Sequence, residues 1–230
     1  MQATIENQRF EVSDPQTGWK ITFACSAKIT SDEEGFDSMV RPWETVALAE
    51  DRLLAQCDCG GVVQEVEIRW YEGNGSAEIH HRIRNSTAST VWIDSIRTVD
   101  GVLESAQSLT APAYLHSLNA RNEPPLPPLC LLDKGSPSIL LGRVNHPFFE
   151  GLVLWQGYDR PCAVTGPLTQ KIVHRSQQLV WDGDRRVDLK TGQDLRGIER
   201  KAIAAGQTLN LDGVFVQFRE NGDLNEAYSD

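Results

Sequence analysis

The side chains of this chain with the widest reach for chemistry are five histidines and 32 acidic residues. His80 and His81 are consecutive in an alternating stretch, so they point to opposite faces and cannot hold one ion together. One is expected inward and hydrogen-bonded, the other solvated. His146, in Asn145-His-Pro-Phe-Phe149, has more to offer. Aromatic rings stack on the apolar C–H faces of pyranoses while Asn145 and His146 supply hydrogen bonds, so this segment is a candidate sugar contact. His116 and His174 have no suggestive neighbours.

Cleavage of a glycoside needs two carboxylates about 5–10 Å apart. The acidic groups here, Asp32 to Glu34, Asp182 with Asp184, and Asp223 with Glu226, fall in turn-like segments where acids serve turns and solubility. No G-x-S-x-G, phosphate-loop, G-x-G-x-x-G or H-E-x-x-H pattern occurs. No catalytic residue is assigned, and no metal ligand set or cofactor is expected. Cys57-Asp-Cys59 has no second Cys/His pair at zinc-ligand spacing. The odd total of five cysteines reads as thiols in a reducing, cytoplasmic compartment.

Of the six tryptophans, Trp19, Trp70, Trp92, Trp155 and Trp181 lie in strand-like runs and are expected in the core. Trp43, in Val40-Arg-Pro-Trp-Glu44, stands in a proline-containing loop where binding residues collect, and is a third candidate for substrate contact.

The elements that must position these residues are strands. Trp19 to Cys25 alternates after the turn-rich Asp14 to Gly18. Val62 to Tyr71 places Val66, Ile68 and Trp70 at period two. Gly73-Asn-Gly75 is a tight turn, and Ala77 to Arg84 puts positions 77, 79 and 83 on one face. A second turn from Asn85 to Ser89 leads into Thr90 to Ile96, and the three strands read as an antiparallel meander. Glu123 to Pro128 is an extended proline connector. Asp182-Gly-Asp184 marks another hairpin, and Thr208 to Phe218 is a strand whose phase slips near Asp212-Gly213, as a bulge would cause. Val46 to Ala55 is ambiguous between helix and strand. Asp223-Leu-Asn-Glu226 resembles a capping box at the start of a terminal helix, 223–230.

Together these features predict one all-β domain over 1–230, a large two-sheet antiparallel sandwich with little helix. The net charge of −10 argues against nucleic acid. No window reaches the roughly 20 apolar residues of a membrane-spanning helix, and no signal peptide is read at the N-terminus. The sequons at Asn74 and Asn85 read as turns.

The run Ile79-His-His-Arg-Ile83-Arg-Asn85 followed by Val91-Trp-Ile93-Asp-Ser-Ile96 resembles the strand pattern of the galactose mutarotase-like β-supersandwich. Ala205-Gly-Gln-Thr-Leu209, Leu211 to Phe218 and Asp223 to Tyr228 resemble the segment closing the N-terminal domain of glycoside hydrolase family 36 α-galactosidases. That resemblance implies a non-catalytic sandwich, with the reacting carboxylates on a barrel after Asp230. It implies carbohydrate or a catalytic barrel as partner, possible homo-oligomers, and Trp43 as a rim aromatic. The alternative it implies is a stand-alone aldose 1-epimerase-like enzyme, with Asn145-His146 matching that family's Asn-His pair.

Overall fold

The computed structural model describes residues 1–31, 35–37, 41–71, 73, 75–106, 113–119, 129–132, 150–155, 162–167, 176–181, 186–194, 200–211 and 213–219. Between 113 and 194 the description is of backbone pairing. The strands in chain order are β1 (Gln2–Glu6), β2 (Arg9–Asp14), β3 (Trp19–Thr30), β4 (Gly35–Asp37), β5 (Glu44–Leu48), β6 (Arg52–Asp58), β7 (Val62–Tyr71), β8 (Ser76–Asn85) and β9 (Val91–Ser105). They continue with β10 (Ala113–Asn119), β11 (Leu129–Leu132), β12 (Glu150–Trp155), β13 (Cys162–Pro167), β14 (Ser176–Trp181), β15 (Arg186–Asp194), β16 (Lys201–Ile203), β17 (Thr208–Asn210) and β18 (Val214–Arg219). There is no helix among the described residues.

All pairings are antiparallel and fall into two sheets. The first runs β1-β2-β3-β9-β15-β14, with β4 on β3 and β16 on β9. The second runs β11-β10-β12-β13-β18-β8-β7-β6-β5, with β17 on β8. The expected all-β sandwich is therefore the observed fold.

Period-two alternation builds the core. Phe10, Val12, Trp19, Ile21 and Phe23 of the first sheet meet Leu53, Val66, Ile68, Ile79, Val216 and Phe218 of the second. A second cluster joins Ile29, Val91 and Ile93 to Val62, Ile83 and Leu211. Burying each of the larger side chains contributes roughly 1.5–3 kcal/mol. Phe10 and Phe23 stack with centroids 5.5 Å apart, fixing the β2–β3 register at their mutual pairing. The short β1–β2 hairpin has Asn7 and Gln8 both at positive φ, 48° and 65°. That is the geometry of a two-residue primed turn, whose twist matches the flanking strands.

Several sequence expectations hold. Val66, Ile68 and Trp70 share the buried face of β7, and Ala77, Ile79 and Ile83 that of β8. The Asp14–Gly18 turn is tied by the Asp14 carboxylate, which accepts from Gln16 N at 3.2 Å and Thr17 Oγ1 at 2.9 Å. The strands on either side of the expected 182–184 turn, β14 and β15, pair antiparallel, and the turn itself lies outside the described residues. On β8, pairing with residues 208–210 stops at Arg82 and pairing with 214–217 resumes at Ile79. Four positions against three leave one extra residue, as the phase slip predicted. The ambiguous stretch 46–55 is not helix but the turn of a hairpin, β5 ending at Leu48 and β6 beginning at Arg52: Leu53, Ala55 and Cys57 alternate inward on β6, and β5 pairs along it.

Two expectations are corrected. The meander ends after two strands: β7 and β8 pair, but β9 pairs with β3, β15 and β16 in the other sheet. The segment 86–90 is an arch between sheets rather than a hairpin turn. Asn85 holds it, entirely buried, with Nδ2 donating to Ser89 O at 2.7 Å and Ile203 O at 2.9 Å. Its Oδ1 accepts from Thr87 N at 3.0 Å and Thr87 Oγ1 at 2.6 Å. Trp92 is the second correction: it is half-buried rather than core, because Val91 and Ile93 on either side take the inward positions of β9. Trp19 and Trp70 are buried as expected. Trp155 and Trp181 lie in strands whose side chains are outside the description, and the proline connector and the 223–230 helix lie outside the described residues.

Candidate functional site

The inward and outward positions of β7 and β8 carry different chemistry. Inward, His81 is fully buried and its Nε2 donates to Gln64 Oε1 at 3.2 Å. His81 and Gln64 form a buried polar pair on the inward face of β7 and β8. Outward, His80 lies 3.0 Å from Glu78, two residues away on the same face. The expectation of one buried and one solvated histidine is met.

The outward face also holds a feature that sequence reading did not find. Glu67, at 5% exposure, lies in the middle of three guanidinium groups. Cross-strand register brings them there: Glu67 is opposite His80 on β8 and Leu54 on β6, with Arg52, Arg69 and Arg82 at the neighbouring outward positions. Arg69 Nε donates to Glu67 Oε1 at 3.0 Å, Arg82 Nη2 donates to Oε2 at 2.8 Å, and Arg52 Nη1 stands 3.5 Å from Oε1. Beside this cluster lies a cavity of about 160 Å³ lined by Glu67, Arg69, His80, His81, Arg82, Asn210 and Leu211. Asn210, at the end of β17, and Leu211, just after it, form one side of the cavity.

Burial pushes the Glu67 carboxyl upward, but the Arg69 hydrogen bond and the charges of Arg69, Arg82 and Arg52 outweigh it and hold the group below the usual range. Glu67 is therefore an ionised structural counter-ion at neutral pH, not a general acid. A depressed folded-state value contributes stability above the unfolded value of about 4.3, and that stability is lost as pH falls through the folded value. Glu67→Gln is expected to cost about 1–3 kcal/mol at pH 7, since three guanidiniums lose their ionic acceptor. The gap between wild type and variant should narrow below about pH 4.3. Urea titrations from pH 7 to pH 3 measure it, and a constant gap refutes this role.

Trp43 lies in the loop just before β5, as expected, and is half-buried there. Its ring meets Phe10 edge-on, with centroids 5.4 Å apart, and stands 6.4 Å from His81. Asn145 and His146 lie outside the described residues, as do the acidic turns at 32–34, 182–184 and 223–226. Among the described residues, no three metal-ligating side chains converge.

Cys57 and Cys59 are both buried, with sulfurs 3.7 Å apart. The hydrogen bond with Cys59, followed by burial, pushes the Cys57 thiol well above its ordinary value. Thiolate, not thiol, is the nucleophile, so Cys57 should resist iodoacetamide in the folded protein and react fully in denaturant. Peptide mapping of the alkylated sites checks this, and rapid native labelling of Cys57 would contradict it.

Two antiparallel sheets in this strand order, joined by the β8–β9 crossover, have the architecture of the galactose mutarotase-like supersandwich. Solved structures share it. A galactose mutarotase-related enzyme from Lactobacillus acidophilus matches with TM-score 0.53 and 10% identity, over 96% of this chain and 98% of that one. An α-N-acetylgalactosaminidase from Bifidobacterium bifidum matches with TM-score 0.52 and 9% identity, over 99% of this chain and 38% of its own. A family 36 α-galactosidase from Geobacillus stearothermophilus matches with TM-score 0.50 and 11% identity, over 96% and 41%. This chain thus spans well under half of the glycosidases it resembles. At these identities the likeness is one of fold. No protein-family profile and no curated protein sequence matches the chain.

Proposed function

We propose that this chain is a non-catalytic sandwich module of an α-galactosidase-like glycoside hydrolase, supporting a catalytic barrel. The observation that carries the reading is the coverage: nearly all of this chain corresponds to about two-fifths of two glycosidases. The chemistry of the described residues supports it. Glu67 is committed to three arginines, and the buried His81 has an amide, not a carboxylate, at its Nε2. In this reading the part of the Trp43 indole that Phe10 leaves open is the sugar-facing surface.

A second reading rests on the mutarotase-related enzyme, which the chain covers almost completely. A sandwich of this size can be an entire protein, and an epimerase of this kind would use His146 with a carboxylate as acid and base. One pair of assays separates the two. The purified chain is expected to leave p-nitrophenyl α-galactoside intact and not to accelerate the mutarotation of α-galactose followed by polarimetry. Acceleration that disappears in His146→Ala would replace the module by the epimerase. Tryptophan fluorescence with galactosides, comparing Trp43→Ala, tests the sugar-facing surface; equal binding by both forms removes Trp43 from it.

A further inference from the structure

We infer that the cavity beside Glu67 is a binding site for a small ligand bearing an oxyanion, carboxylate or phosphate. The inference does not depend on the module reading, because it rests on the cavity and its donors alone.

Two observations carry it. Arg52, Arg69 and Arg82 converge on Glu67, on a face that also holds Glu65 opposite Arg82 and Glu78 beside His80, so the charges balance and the donors are what is in surplus. Each guanidinium has five N–H donors in a planar fork suited to carboxylate and phosphate. Glu67 engages only part of that set: Arg82 reaches it through Nη2, while Arg82 Nε is buried with no partner among the described residues. A buried donor left unpaired costs free energy until something accepts from it.

The cavity supplies the room. At about 160 Å³ it holds about five water volumes. That accommodates an oxyanion and part of its carrier, not a large cofactor. Asn210 and His80 line the same space and can hydrogen-bond hydroxyls on the carrier. Leu211 N donates to His81 O at 2.9 Å, which continues the β17–β8 ladder one residue past Asn210 and fixes this wall of the cavity.

Glu67 occupies the centre of the cluster as an internal anion, which gives the inference an unusual signature. Removing it should free donors and strengthen binding, whereas removing an arginine should weaken binding. Calorimetric titration at fixed low salt with glucuronate, glucose 6-phosphate and neutral glucose reads this out. At least one of the two anionic sugars is expected to bind tenfold or more tightly than glucose. Whichever binds identifies the source of the oxyanion. Its affinity should fall at least tenfold in Arg82→Gln and in Arg69→Gln, and rise in Glu67→Gln. If Glu67→Gln does not fold, the two arginine variants decide. Absence of binding by both anions, equal binding of glucose, or wild-type affinity in both arginine variants overturns the inference.

Discussion

Gly101→Ala is expected to lower stability by about 3 kcal/mol or more, because the added methyl has nowhere to go. Gly101 is buried in β9, between Phe23 of β3 and Leu189 of β15. A Cβ built there lies 2.2 Å from the carbonyl oxygen of Thr22 and 2.5 Å from both Cα and Cβ of Phe23. Rotating a side chain relieves none of this, since two of these atoms are backbone and Phe23 Cβ does not move when its side chain rotates. The paired β3 and β9 must separate at this point, and Phe23 must shift from its stack on Phe10. For a domain of this size 1 kcal/mol shifts the midpoint by about 2–4 °C, so a drop on the order of 10 °C is expected. Gly206→Ala is the internal control. Its φ is +74° but nothing lies within 4 Å of the added carbon, so only the left-handed backbone penalty applies, about 1 kcal/mol. Thermal unfolding of the two variants side by side checks the argument. Equal losses would show that backbone conformation, not close approach, sets the cost at position 101.

Gly101 also shows where sequence reading stops. The strands and their buried faces were legible because each rests on local alternation, as in Val66-Glu-Ile68-Arg-Trp70. The β1–β2 hairpin was not, because Asn7-Gln8 is not a glycine pair and β1 buries little. Sheet membership was not legible either. A five-residue polar gap after Asn85 allows a hairpin or an arch, and the choice depends on which distant strand accepts β9. That partner, β3, is some 70 residues away in sequence, as the pairing Ala27↔Ile96 illustrates.

The candidate site was legible in part for the same reason. Period two places Glu65, Glu67 and Arg69 on the solvent face of β7. It does not tell that Arg52 pairs with Arg69 across one ladder, or that Arg82 reaches Glu67 diagonally across the other. A clue existed in the concentration of arginines at 52, 69, 82 and 84 in an otherwise acidic chain. Converting it into a cluster required the register of three strands. Trp43 was noticed for its loop position, but its contact with Phe10 is tertiary and has no local signal.

Asn85→Ala is expected to cost about 2–4 kcal/mol and to loosen the passage between the sheets. The side chain fills its hydrogen-bonding capacity within the protein, donating to two carbonyls and accepting twice from Thr87. Its backbone is committed as well, with Asn85 N donating to Gln207 O and Gly206 N donating to Asn85 O. Alanine leaves the Ser89 and Ile203 carbonyls short of a donor and unpins both the 86–90 arch and the 204–207 turn. Asn85→Asp sharpens the test. It keeps the acceptor for Thr87 but turns the two donated bonds into a carboxylate facing two carbonyl oxygens, so its loss at neutral pH should match or exceed that of alanine. Burial and those carbonyls raise the folded-state value of the new acid. Stability is then greatest below the unfolded value, and is lost as pH rises from about 3.9 through the folded value. The aspartate variant should therefore regain stability relative to alanine between pH 7 and pH 4, a recovery opposite in sign to that of a salt-bridged carboxylate. Denaturant midpoints for the two variants across that range measure it. A pH-independent difference between them would mean that Asn85 fills space rather than bonding the arch to its neighbours.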